Sequence, residues 1–162
     1  MLKKLSIAII LLASLAGCKS KSAFNYSQEF VKKERGLLPD ITSTEASVKG
    51  FLAAEQYDSI ATAGERMEKL IGEKIKEIKN QPAPDAKEAD NFKEAGIKYF
   101  EFMKSMYTGY KNYGHATTPE ARDEEMAKLR NIASEKVAVV NTMQLAQKKF
   151  ADANGFKIED HE

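Results

Sequence analysis

The chain has 162 residues, and its 25 basic residues nearly balance its 24 acidic ones. Nucleic-acid binding needs a concentrated positive field, so this balance argues against a nucleic-acid partner. One cysteine and two histidines exclude an internal disulfide, a cysteine-rich zinc cluster and haem attachment through a pair of cysteines.

The first eighteen residues have the order of a bacterial export signal. Lys3 and Lys4 precede an apolar run over residues 5–13, which is short for a permanent membrane span but fits a secretory signal. The run leads into Leu15-Ala16-Gly17-Cys18, which resembles the lipobox of bacterial lipoproteins. The resemblance implies cleavage before Cys18, acylation of its thiol and attachment to a membrane. An ordinary signal peptide with a chance cysteine is the alternative.

Residues 18–23 are predicted to be the acylated cysteine and a short polar tether. Lys19 follows Cys18, in place of the aspartate that holds enteric lipoproteins at the inner membrane. The acidic run that resembles the surface-export signal of Bacteroidetes lipoproteins is also lacking. The resemblance therefore implies a lipid-anchored protein of the bacterial cell envelope, held in the outer membrane and facing either the periplasm or the cell surface.

Apolar periodicity predicts a first helix over residues 24–54. Pro39 lies inside this segment and removes one backbone hydrogen bond, so a kink or break is expected at residues 36–43. Ser43 or Thr44 would then cap a fresh helical start.

A second helix is predicted over residues 58–80, where the prolines of the next segment stop it. Asp58 or Ser59 is its expected N-cap. The triplet Asp58-Ser59-Ile60 also resembles an O-glycosylation acceptor of Bacteroidetes envelope proteins, and a plain helix cap is the alternative.

A third helix is predicted to begin at Asp85, with Glu88 as its partner in a capping box. Apolar and aromatic residues follow at helical spacing as far as Gly114, which is the expected left-handed stop.

A fourth helix is predicted from Thr118, the N-cap, and Pro119, the first helical position, to the stop at Asn154 and Gly155. Its apolar stripe includes Val137. The tail over residues 156–162 is short and acidic and is expected to fray.

These segments predict an all-α domain over residues 24–155. Each helix is apolar along one stripe, and short connections favour antiparallel neighbours, so an up-down-up-down four-helix bundle is the simplest arrangement. A helical solenoid is the alternative, but the chain shows no repeat at 34 to 47 residues.

Among the residues that could form a functional site, one aromatic cluster stands out. Neither histidine has a glutamate three residues before it, so no di-iron pattern is present, and neither a metal nor a cofactor is expected. Tyr107, Tyr110, Tyr113 and His115 close the third helix and form the candidate ligand-binding site. Tyr107 and His115 lie off the apolar stripe. The alternative is that Tyr99, Tyr110 and Tyr113 are core residues whose hydroxyls reach the end of the bundle, and that His115 is a solvated loop residue.

The overall arrangement, a lipobox followed by a helical domain, is similar to that of uncharacterised helical surface lipoproteins of spirochaetes and Bacteroidetes. The likeness covers the lipobox, the break at Gln81-Pro82-Ala83-Pro84 and the run over residues 92–102. It implies a fold and a location and no activity. We therefore expect a non-catalytic, membrane-tethered binding module for an envelope protein, glycan or small ligand. A structural spacer or accessory subunit is the alternative, and an enzyme is a remote one.

Overall fold

The computed structural model describes residues 9–10 and 18–160, and it places the side chains of residues 19–158. The domain is all-α, as predicted. Only Glu135 separates the last two helices, so these two together form the fourth arm of a four-helix bundle. The helices are α1 (Cys18–Ala53), α2 (Tyr57–Asn80), α3 (Ala89–His115), α4 (Pro119–Ser134) and α5 (Lys136–Asn154).

Successive arms of the bundle run in opposite directions. The start of α1 meets the loop after α2, where Lys19 pairs with Asp85 at 3.0 Å, and the end of α5 lies at the same loop. The loops over residues 54–56 and 116–118 lie at the other end. We call the end that holds Cys18 the proximal end and the opposite one the distal end.

Aromatic rings from α1, α3 and α5 meet in the core at the proximal end. Phe92 and Phe150 stack with their centroids 5.0 Å apart, and Tyr26 packs edge-on against both rings. Phe156 is buried against Phe150, so the start of the tail is packed rather than frayed.

α1 passes through Pro39 without the predicted break. Leu37 and Ile41 are buried on either side of the proline, and their packing holds the helix across the one missing hydrogen bond. Thr44 is therefore a buried helix-interior residue and not a cap. The segment predicted as a tether, residues 18–23, forms the first turns of α1.

The predicted caps of α2 and α3 are wrong. Gln56 is the N-cap residue of α2 and its side chain makes no capping hydrogen bond, while Asp58 lies in the first turn. α3 begins at Ala89, because Glu88 takes a left-handed conformation (φ 61°) that excludes it from the helix. The two prolines nearby favour extended backbone before them and delay the start of α3.

Gly114 has a different role from the one predicted. α3 continues to His115, and Gly114 keeps an ordinary helical φ. A Cβ at this position would overlap the backbone of Tyr57 and Ala61, so the glycine lets α2 and α3 approach closely.

The two ends of the fourth arm are as predicted, but its helix has an interruption that was not predicted. The Thr118 hydroxyl accepts a hydrogen bond from the Ala121 amide at 3.1 Å, and Gly155 takes the left-handed conformation that ends α5. The helix is interrupted at Glu135, and Val137 is 68% exposed, so its predicted burial is wrong.

Two short strands complete the described part of the chain. β1 (Ile9–Ile10) pairs antiparallel with β2 (Glu159–Asp160), with Ile9 opposite Asp160. β1 lies within the predicted signal peptide, so cleavage before Cys18 would remove it. The other residues of that peptide lie outside the described part of the chain.

Candidate functional site

The tyrosines of the predicted site divide between the interior and the distal end. Tyr107 and Tyr110 are buried, with ring centroids 5.9 Å apart. The expectation that Tyr107 lies off the buried face is wrong. α3 packs against α2, α4 and α5, so its buried face is wider than one apolar stripe.

The hydroxyls of these two tyrosines turn inward to a carboxylate of α1. Tyr110 donates a hydrogen bond to Glu45 Oε2 at 3.3 Å, and Tyr107 also bonds this carboxylate. Burial raises the pKa of Glu45, although both hydrogen bonds oppose the shift. Burial, together with the charge of Glu45, also raises the pKa of each phenol. Both phenols therefore stay protonated donors near neutral pH.

A second carboxylate–tyrosine couple repeats this arrangement toward the proximal end. Tyr99 donates to Glu34 Oε1 at 2.8 Å, and Glu34 is only 5% exposed. Burial raises the pKa of Glu34 to about 7, against the opposing effects of Tyr99 and Arg35.

Sequence analysis missed both carboxylates, although a signal for them exists. Glu34 and Glu45 lie on the apolar stripe of α1, and they are eleven positions apart, as are Tyr99 and Tyr110 on α3. Eleven residues are close to three helical turns, so the two couples line one face of each helix.

The two couples are too far apart to act together in catalysis. Eleven residues of helix correspond to about 16 Å, whereas paired catalytic carboxylates of glycosidases lie about 5–9.5 Å apart. The hollow beside Glu34 has a volume of about 10 Å³, close to the minimum for one water molecule. Within the described residues, no three His, Cys, Asp or Glu side chains are placed to hold a metal ion.

The other two predicted site residues lie at the distal end. Tyr113 is half-buried and packs against Tyr57 of α2, with centroids 6.0 Å apart. His115 is exposed at the last position of α3. The guanidinium of Arg122 lies 3.8 Å above the Tyr57 ring, in cation–π contact.

Two open hollows adjoin at this end. One, of about 750 Å³, lies between the start of α2, the end of α3 and Arg122. The other, of about 570 Å³, lies between α1 and α2. Asp58 and Ser59 line both hollows. We call the joined surface the distal furrow and define it by Ser43, Ser47, Phe51, Tyr57, Asp58, Ser59, Thr62, Arg66, His115 and Arg122.

Two of the hydroxyls of the distal furrow are held by their own helices. Ser47 donates to the Ser43 carbonyl and Thr62 donates to the Asp58 carbonyl, each at 2.9 Å. Their oxygens therefore face the furrow as acceptors. The furrow can thus hold a polar ligand on rigid, helix-borne groups.

The two arginines of the distal furrow differ in their partners. Arg66 pairs with Asp40 at 3.2 Å and donates to the Thr44 hydroxyl. Arg122 Nε is shielded from solvent and has no hydrogen-bond partner among the described residues. This nitrogen therefore faces the protein, and Arg122 contributes the charge of its guanidinium to the hollow at the end of α3.

The comparisons with known proteins assign no family. No family model matches the chain, and no curated protein or solved structure shows a significant similarity to it. None of the helices within the described part of the chain has the length and hydropathy that a membrane span requires.

Proposed function

We propose that the protein is a lipid-anchored, non-catalytic binding module of the bacterial cell envelope, with the distal furrow as its binding face. The anchor is Cys18, acylated after removal of the signal peptide and held in the outer membrane. The position of Cys18 at the first residue of α1 supports this arrangement. The 36 residues of α1 extend for about 54 Å, so the anchor and the furrow lie at opposite ends of the bundle.

The furrow, rather than the full set of predicted aromatic residues, is the binding face of this proposal. Tyr107 and Tyr110 are buried and hydrogen-bonded within the bundle, so a ligand cannot reach them without unfolding. His115 and Tyr57 belong to the furrow, and the ring of Tyr113 packs against the ring of Tyr57. The observation that carries the proposal is this open polar surface, placed away from the anchor.

A second candidate function is that of an accessory subunit of an envelope complex. Val137 and Leu145 of α5 are 68% and 55% exposed, which is unusual for large apolar side chains in this domain. A protein partner that covers α5 would bury both. In this alternative the lateral face of the bundle, and not the distal end, makes the contact.

Site-specific photo-crosslinking in intact cells tests the two candidates. A photoreactive residue is placed at Thr62 in the furrow, at Val137 on α5 or at Lys149 near the proximal end, all of them exposed positions. The proposal predicts a discrete adduct from Thr62 and none from Lys149. Unchanged thermal unfolding of the three variants serves as the control for folding.

The pattern of adducts decides between the binding module and the accessory subunit. An adduct from Val137 alone would replace the furrow by the lateral face and favour the accessory subunit. Equal labelling from all three positions, or none from Thr62, would contradict the binding module as proposed.

A further inference from the structure

We infer that the ligand of the distal furrow is a glycan, an inference that rests on the proposed function and adds a chemical class to it. The argument begins with the polarity of the lining. Ser43, Ser47, Ser59 and Thr62 bring four hydroxyls to the furrow, and Asp58 adds a carboxylate. A lipid or other apolar ligand would bury the Asp58 carboxylate and the remaining acceptor positions of the hydroxyls without new hydrogen bonds, at a cost of about 1–3 kcal/mol for each group left unsatisfied.

Several groups of the lining can only accept a hydrogen bond from a ligand. The Ser47 and Thr62 protons are used within their helices, and an ionised carboxylate such as Asp58 only accepts. Arg66, the strongest donor of the second hollow, is already engaged by Asp40 and Thr44. The complementary ligand is rich in donors, as the hydroxyl groups of a saccharide are.

The furrow also has an apolar surface for the C–H face of a sugar ring. Phe51 is half-buried and lines the hollow between α1 and α2. The ring of Tyr57 is already covered by Arg122 at 3.8 Å, so Phe51 is the aromatic side chain that remains for this contact. The guanidinium charge of Arg122, which lines the hollow at the end of α3, would favour a carboxylate on the glycan over a neutral substituent.

The test uses the full-length acylated protein, extracted from membranes in detergent and applied to an array of neutral and acidic oligosaccharides. Binding to a subset of these saccharides is expected. Asp58→Ala should weaken that binding at least about tenfold, the effect of losing a charge-assisted hydrogen bond. Asp152→Ala, at an exposed ion pair of α5 near the proximal end, should change it less than about twofold.

A second variant separates the two classes of saccharide. Arg122→Gln removes the charge, so it should weaken binding of acidic oligosaccharides by a larger factor than binding of neutral ones. Equal weakening of both classes would overturn the role assigned to Arg122.

The failure of the glycan inference is distinguishable from failure of the proposed function. If no saccharide is retained while Thr62 still forms its adduct in cells, the furrow binds another class of ligand and the glycan inference is wrong. A protease-sensitive adduct that resists glycosidases would have the same meaning. Saccharide binding that survives Asp58→Ala would place the glycan outside the furrow.

Discussion

Glu34 is a buried carboxylate to which the proposed function assigns no role. Its carboxylate is buried in the bundle, with the Tyr99 hydroxyl as its hydrogen-bond donor and the neutral side chains of Gln144 and Gln147 nearby. Burial of a carboxylate favours its protonated form, which raises the pKa of Glu34 to about 7. The bundle therefore holds a proton that the unfolded chain releases at lower pH.

The pH dependence of stability follows from this difference. The folded pKa of about 7 lies above the ordinary value of 4.5, so between these values the folded state binds more protons. The contribution of Glu34 is fully favourable below pH 4.5 and is lost as the pH rises through 7. We expect Glu34→Gln, which keeps an acceptor for Tyr99, to be more stable than the native chain at pH 8 by a few kcal/mol at most.

Denaturant unfolding at pH 4.5 and pH 8 measures this effect. The stability gain of Glu34→Gln should be small at the lower pH and largest at the higher one. Glu94→Gln is the matched control, because Glu94 is exposed and paired with Lys98. A gain that does not change with pH would show that folding does not raise the pKa of Glu34.

At the scale of elements, the pairing of α2 with α3 depends on glycine. A Cβ at Gly64 would lie 2.5 Å from the Lys111 amide nitrogen and 2.7 Å from the Tyr107 carbonyl oxygen. Both neighbours are backbone atoms, which cannot move aside as a side chain can. The close approach also brings Lys111 within reach of Glu68, with which it forms an ion pair across the two helices.

Gly64→Ala should therefore force the two helices apart and lower the free energy of unfolding by about 1–3 kcal/mol. Gly36→Ala in α1 is the control, since a Cβ there meets no atom within 4 Å. This second change should raise stability by about 0.5–1 kcal/mol through the higher helix propensity of alanine. Urea denaturation of both variants measures the contrast, and a gain in both would refute the close packing at Gly64.

At the scale of the whole molecule, the proposed anchor lies at one end of the bundle and the proposed binding face lies at the other. Acylation of Cys18 is the step on which this arrangement depends. One acyl chain gives only marginal membrane binding, whereas the two or three chains implied by the lipobox resemblance give a lasting anchor.

Cys18→Ser should abolish acylation and leave the uncleaved precursor, because a hydroxyl cannot replace the thiol in forming the thioether. An inhibitor of the lipoprotein signal peptidase should likewise cause the precursor of the native chain to accumulate. Membrane fractionation and gel mobility measure both effects. Normal processing of Cys18→Ser would contradict the lipoprotein assignment and leave the fold unaffected.

The sequence by itself determined the fold class and several local features. Apolar periodicity and short connections predict the four-helix bundle, and the apolar side chains of Ile71 in α2 and Leu129 in α4 are buried in its core. The Thr118 cap and the Gly155 stop are also confirmed. These features depend on residues within a few positions of one another, so a linear pattern contains them.

Only the tertiary structure decided which surfaces remain open. Tyr107 is buried and Val137 is exposed because burial depends on how many helices surround a position, and no single stripe records that number. Gly114 serves close packing because α2 lies against it. The distal furrow joins residues from α1, α2, the end of α3 and α4, so its composition emerges only when distant segments meet.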